Sequence, residues 1–309
     1  MEAKTGTISG IASARRGAAS RGSLAVVRDY LALTKPRVVS LLLWTTVASM
    51  FVADPSGPAL STILWTVLGG YLAAGGAGAI NHYLEREVDA RMARTSGRPL
   101  ASGRIEPWRG LAFGIALGAI ATAQLGLTVN TLAAVLAATG LLGYIFLYTL
   151  WLKPRTPLNI VLGGAAGAVP PLVGWAAATG ELSAQALWLF AIVFFWTPPH
   201  FWALSLLVAD DYARTGVPML PVVRGEGETR RQILSYSVLL VAITLGPVLT
   251  GLFGAAYLAA ALVLGVGFIL LAHRLSAQAS REAARRLYLS SLAYLALLFV
   301  AMAVDRVTG

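Results

Sequence analysis

Hydrophobic and polar positions alternate in long blocks along this chain. Nine apolar stretches of span length can be drawn, near residues 38–53, 60–84, 107–126, 130–150, 158–179, 184–207, 232–251, 254–272 and 287–304. Runs of this length predict membrane-crossing α-helices. The period-two alternation of a transmembrane strand is absent, which excludes a β-barrel on pattern. The expected fold class is an all-α polytopic membrane protein.

Charge refines that picture. Of the 309 residues 57% are hydrophobic and only 12% charged, with a mean hydropathy of +0.71. Net charge is +10, and arginine outnumbers lysine 21 to 3. With the N-terminus inside, 23 of the 24 cations fall in the tail or inner loops, leaving only Arg306 outside. The positive-inside rule therefore explains the basic balance better than nucleic acid does, and no nucleic-acid partner is expected. It predicts a cytoplasmic N-terminus and a periplasmic C-terminus, with a bacterial inner membrane as the setting. Residues 1–28, basic and without the apolar core of a secretory signal, read as a disordered cytoplasmic tail; a transit peptide has similar composition. Residues 29–309 read as one transmembrane domain. With no cysteine there is neither a disulfide nor a thiolate metal site.

The richest polar segment follows the second apolar stretch and runs from Asn81 to Pro99. Asn81, Glu85 and Asp89 are spaced i, i+4, i+8, so on a helix they share one face, with the carboxylates ~6 Å apart along the axis. Oxygen donors in that pattern suit Mg²⁺, which commonly shares its ligands with substrate phosphates. Arg91, Arg94 and Arg98 follow within reach of such phosphates. Taken singly these charges would mark the water boundary; the ordered set points to a diphosphate site. Glu87 falls off the shared face and reads as a surface charge or a partner for Arg91.

Other inner-side cations are Lys35 and Arg37 before the first span and Lys153 and Arg155 before the fifth. Either pair serves diphosphate binding or topology alone. In the fifth span Gly163 and Gly167 predict close helix packing and Pro170-Pro171 a bend. The sixth span carries Trp196-Thr-Pro-Pro-His200-Phe201-Trp202. A histidine at bilayer depth beside two prolines and three aromatics reads either as a hydrogen-bonded structural residue or as a substrate contact. His82 and His273, at interfaces, read as structural. The loop after this span, with Asp210, Asp211 and Tyr212, continues through Ala213-Arg214-Thr215-Gly216-Val-Pro218. It echoes Ala93-Arg94-Thr95-Ser-Gly97-Arg-Pro99, through an internal repeat or by chance.

These residues resemble the UbiA superfamily of intramembrane prenyltransferases, whose first signature is N-x-x-x-D-x-x-x-D. Leu33-Thr34-Lys35-Pro36-Arg37, Met92-x-Arg94-Thr95-x-x-Arg98-Pro99-Leu100, Thr156-x-x-Asn159 with its Gly-Gly-x-x-Gly-Ala-x-Pro-Pro continuation, and the Trp196–Trp202 and Asp210–Pro221 segments narrow the likeness to the haem-modifying branch. The resemblance implies nine helices around a central cavity. It implies transfer of a farnesyl group from farnesyl diphosphate to a vinyl group of haem b, with Mg²⁺ as cofactor, and haem A synthase or oxidase-assembly proteins as neighbours in the lipid bilayer. On that reading Asn81, Glu85 and Asp89 hold the metal, with His200 also catalytic. Lys35, Arg37, Arg94, Arg98, Lys153, Arg155, Trp196, Phe201, Trp202, Asp210, Asp211 and Tyr212 meet the substrates. Glu85 stands where the superfamily usually has Asp, and the second D-x-x-x-D motif is not literally present. The alternatives are a relative acting on an aromatic or quinone precursor, or an organic-anion transporter facing inward.

Overall fold

The computed structural model describes residues 22–309. Helix α1 (Ser23–Leu33) precedes the first span, α2 (Pro36–Ala53). There follow α3 (Leu60–Leu84), the short α4 (Arg86–Arg91), α5 (Pro107–Thr128) and α6 (Thr131–Leu142), which continues as a π-helix over Gly143–Leu152. Next come α7 (Asn159–Gly167), α8 (Val169–Thr179), α9 (Ala184–Leu207), α10 (Ala209–Thr215) and α11 (Leu220–Val223). The chain closes with α12 (Gly225–Leu249), α13 (Ala255–Gln278) and α14 (Arg281–Thr308).

Among the described residues nine helices, counting α6 with its π continuation and α7 with α8 as one each, are long and apolar enough to cross a membrane. They coincide with the nine expected stretches. The last three inner-side boundaries differ: α12 starts at Gly225, α13 runs on to Gln278 and α14 starts at Arg281. The polar turns of α12 and α14 stay helical beyond the apolar block because i, i+4 pairs support them, Arg230 with Glu226 at 3.1 Å and Arg286 with Glu282 at 2.8 Å. Of the tail expected over 1–28, residues 1–21 lie outside the described residues, while 23–28 form the first half of α1.

The spans pack in a closed order. α3 packs on α5, α5 on α6, α6 on α8, α8 on α2 and α2 on α14; α14 packs on α13, α13 on α12 and α12 on α9, which also meets α7 and α14. Lipid tails remove most of the hydrophobic drive between helices, so close backbone approach must supply the contact. A Cβ on Gly76 would lie 2.8 Å from the Gly114 carbonyl, and one on Gly114 2.9 Å from that of Gly76. At the α8–α2 crossing a Cβ on Gly174 would lie 2.1 Å from the Thr46 carbonyl oxygen. In the fifth span the glycines that pack tightly are Gly163, against the Tyr148 ring, and Gly164, against Thr197; Gly167 lines a cavity instead. The bend falls at Ala168, where α7 gives way to α8 ahead of Pro170-Pro171.

That cavity, about 230 Å³, lies between α2, α3, α6 and the α7–α8 break. Gly70, Ala73, Ala74, Ala77 and Gly78, at helical spacing on α3, leave the space open, and Lys35 and Tyr144 are its polar lining residues together with Thr46.

Candidate functional site

α3 ends at Leu84 and α4 begins at Arg86, yet the hydrogen-bond ladder runs through the joint. The Glu85 N–H donates to the Asn81 carbonyl at 2.9 Å and the Asp89 N–H to that of Glu85 at 2.8 Å. The expected face of Asn81, Glu85 and Asp89 is therefore retained across the break. Asn81 and Asp89 are buried, and the Glu85 side chain is 12% exposed.

Each of these three side chains meets a cation from a different part of the chain. The Lys35 ammonium donates to Asn81 Oδ1 at 2.7 Å, the Lys153 ammonium to Glu85 Oε1, and Arg98 Nη1 to both oxygens of Asp89 at 2.9 and 2.7 Å. Lys35 reaches in because the α1–α2 corner is sharp: its own backbone is left-handed (φ 51°), and Pro36 starts α2 immediately after. That conformation costs a non-glycine residue ~1–3 kcal/mol. Glycine at 78 lets the corner close, since a Cβ there would lie 3.0 Å from the Leu33 carbonyl oxygen. Arg98 is set by its loop, where Thr95 Oγ1 donates to the Asp89 carbonyl at 3.0 Å and Arg104 ties the loop to Asp29 of α1 at 2.9 Å.

Burial pulls the Lys35 ammonium down to about 7, Arg98 and Lys153 adding to the pull and Glu85 and Asp89 opposing it. For Glu85 burial alone would raise the carboxyl, but the Lys153 ammonium outweighs it and holds the group below its ordinary range. Lys153 mirrors this: burial would lower it, and Glu85 with Tyr212 raises it instead. The Glu85–Lys153 pair thus stays ionised.

The π-helix brings further residues that sequence reasoning missed. Tyr144 stands beside Lys35, whose ammonium lies 5.9 Å from the ring centroid, and so sits between the polar cluster and the apolar cavity. Thr149 Oγ1 accepts from Asn81 Nδ2 at 3.2 Å and donates to the Tyr144 carbonyl at 2.9 Å, a five-residue step native to π geometry. Tyr148 lies within electrostatic reach of Glu85, Arg94 and Tyr212. On an α-helix Tyr144 and Tyr148 share a face, but Tyr144 lies opposite Lys153, nine residues on, so an α-helical period does not join these aromatics to the site.

Other expected residues divide. Asp211 is buried and accepts from Arg214 and from the Arg94 N–H at 3.4 Å, joining the two similar loops. Burial would raise its carboxyl, but Arg214 and the backbone N–H groups of Arg94 and Ala93 hold it below the usual range. Tyr212 is buried beside Lys153. Asp210 is exposed. Arg37 is exposed on the first turn of α2, outside the cluster. Arg155 caps the π-helix, donating to the Leu150 and Trp151 carbonyls at 2.8 and 3.1 Å. Glu87 pairs with Arg86, while Arg91 reaches the Glu87 carbonyl.

His200 forms a second cluster on α9 and α14. Its ring stacks between Trp196, at 4.3 Å, and Tyr288, at 4.9 Å; its Nδ1 is 2.6 Å from Ser291 Oγ, and Trp196 Nε1 donates to the Ser291 carbonyl at 2.8 Å. The flat wall expected from Trp196, Phe201 and Trp202 together is not formed. Trp202 turns to Tyr236, 5.2 Å away and edge-on, and Phe201 packs into the core, because residues five and six positions after Trp196 leave its face of a helix. His82 is buried with neither ring nitrogen hydrogen-bonded, near Lys35 and Arg98.

Among the described residues no three His, Cys, Asp or Glu side chains group as a metal cluster. The set here is two carboxylates and an amide, all hard oxygen donors on one helix face, which fits Mg²⁺.

Comparison with known proteins agrees with this architecture. A family model described as the UbiA prenyltransferase family matches residues 42–300. The chain is 54% identical over 286 residues to a protein of Roseiflexus sp. (strain RS-1) named protoheme IX farnesyltransferase, covering 93% of this chain and 54% of that one. It is 51% identical over 282 residues to the protein of that name from Symbiobacterium thermophilum, covering 91% and 94%. The chain spans about half the length of the Roseiflexus relative and 94% of the Symbiobacterium one. Among solved structures, a UbiA homologue from Archaeoglobus fulgidus bound to DMAPP and Mg²⁺ superposes with a TM-score of 0.66 at 17% identity, covering 89% of this chain and 99% of that one.

Proposed function

The chain belongs to the UbiA prenyltransferase family, and from that premise we propose that it transfers a farnesyl group from farnesyl diphosphate to a vinyl group of haem b, forming haem O for terminal oxidase assembly. The relatives' name supports the acceptor and the donor. The observation that carries the reading is the convergence of Lys35, Lys153 and Arg98 on Asn81, Glu85 and Asp89, with Lys35 also lining an apolar cavity.

Asn81, Glu85 and Asp89 would hold Mg²⁺, which supplies Lewis-acid charge to diphosphate oxygens. Lys35, Lys153, Arg98 and Arg94 offset the negative charge that grows on the leaving diphosphate as the C1–O bond breaks. The cavity lined by α2, α3 and α6 takes the isoprenoid tail and keeps bulk water from the allylic cation. Tyr144, at the junction, presents its ring to the positive carbon. The vinyl carbon attacks that carbon, and water adds to the resulting cation with loss of one proton, leaving a hydroxyethylfarnesyl side chain. His200 has Nδ1 engaged by Ser291, so Nε2 is the atom offered to haem iron or a propionate, with Trp196 and Tyr288 as flat neighbours. The charge distribution supports a cytoplasmic diphosphate site and a periplasmic C-terminus in a bacterial inner membrane, where haem A synthase or oxidase-assembly proteins receive the product.

The test is direct. Membrane protein incubated with haem b, farnesyl diphosphate and Mg²⁺ should yield haem O by mass spectrometry. Farnesylation of an aromatic acid or quinone precursor in its place would overturn the acceptor.

A further inference from the structure

Three oxygen-bearing side chains on one helix face are each matched to a cation, and the three cations come from three separate segments. Lys35 sits at the α1–α2 corner, Lys153 ends the π-helix, and Arg98 lies in the loop after α4. Lys153 and Arg98 already balance the two carboxylates, and the carboxylate side chains are 12% and 4% exposed. A free divalent cation entering this site would add two uncompensated charges where water is scarce, and would have to displace hydrogen-bonded ammonium and guanidinium groups that then lack partners. A diphosphate changes both terms. It brings the compensating negative charge, and its oxygens accept the released Lys153 and Arg98 donors.

We infer that Lys35, Lys153 and Arg98 keep the Asn81–Glu85–Asp89 oxygens closed to free divalent metal and release them only in exchange for diphosphate, so that metal and diphosphate enter as a coupled pair. This rests on the function proposed above. Each contact is made by the end of a flexible side chain, so the exchange needs rotamer changes only. Lys35 both lines the apolar cavity and donates to Asn81, so it adjoins the diphosphate of a prenyl chain lying in that cavity. By linkage the coupling is reciprocal: metal tightens diphosphate by the factor by which diphosphate tightens metal.

The experiment measures Mn²⁺ binding by electron paramagnetic resonance on the full chain in nanodiscs, with and without inorganic diphosphate. Wild type should bind Mn²⁺ alone weakly and at least about tenfold more tightly with diphosphate. Lys153→Gln and, independently, Arg98→Gln should bind Mn²⁺ alone about tenfold more tightly than wild type, with a smaller diphosphate effect. Melting temperatures establish that each variant is folded; if one is not, the other carries the test. The inference is overturned if wild type binds Mn²⁺ equally well without diphosphate, or if the folded variants show no gain in metal-only affinity. If wild type retains no Mn²⁺ even with farnesyl diphosphate present, the metal-dependent function itself fails.

Discussion

One guanidinium nitrogen of Arg98 serves both carboxylate oxygens of Asp89, at 2.7 and 2.9 Å. Asp89 is buried, so its charge is neutralised by a residue nine positions on. Asp89→Asn keeps the size and removes the charge; turnover should fall by about 10²–10³ while membrane insertion is unchanged. Glu85→Asp, shorter but still charged, should keep partial activity. Wild-type rates in Asp89→Asn, or in EDTA-treated enzyme, would end the metal-assisted reading.

The cavity predicts a chain-length effect. Ala74 lines it one helical turn deeper than Gly78, away from Lys35. Ala74→Leu should weaken binding of farnesyl diphosphate while sparing geranyl diphosphate. Competition binding with the two diphosphates reads this out, and an equal loss for both would move the tail elsewhere.

Much of this was legible in the sequence. The apolar blocks set the spans, and the i, i+4, i+8 spacing placed Asn81, Glu85 and Asp89 on one face. Lys35, Lys153 and Arg98 were visible as cations, but their one-to-one matching was not, since it depends on contacts across 46 and 68 positions for the two lysines. Arg37 and Arg155 were indistinguishable from them by residue type; only the α2 face and the carbonyls at the end of the π-helix set them apart. Tyr144 and Thr149 stayed hidden because an α-helical period sets them on different faces, and only the wider turn of the π-helix brings them together.

Packing at Gly174 is the stability test. A valine there would drive a Cβ to 2.1 Å from the Thr46 carbonyl oxygen and force α8 off α2. Overpacking of this kind costs ~1–3 kcal/mol or more. A lowered melting temperature in detergent is expected; an unchanged one would mean the crossing can slide.

Orientation can be read without removing native thiols, because the chain has no cysteine. A single cysteine at Gly103 or Gly225 should be shielded from impermeant reagents added outside intact cells. One at Gly309 should react. The reverse pattern would invert the protein.

His200 separates acceptor from donor binding. His200→Ala should weaken haem b affinity and leave farnesyl diphosphate affinity unchanged, since the ring's partners are Trp196, Tyr288 and Ser291, which lie on α9 and α14 and not among the residues of the Asn81 cluster. Ser291→Ala should give a milder version of the same effect, by freeing the ring to turn. Normal affinity for both substrates and normal turnover in His200→Ala would leave the histidine a packing role only.

The π-helix between Gly143 and Leu152 acts on the helix below it like a vernier. At ~4.4 residues per turn instead of 3.6, ten residues lag an α-helix by about half a revolution. The outer half of the fourth span can therefore present one stripe to lipid while the inner half presents the opposite stripe, with Tyr144, Thr149 and Lys153, to the site. The two halves are thereby free to change independently, for lipid thickness at one end and for chemistry at the other. Forcing all ten residues into α geometry would turn Lys153 by about half a revolution, away from the site, whereas deleting about two of them would restore α geometry and leave Lys153 where it is.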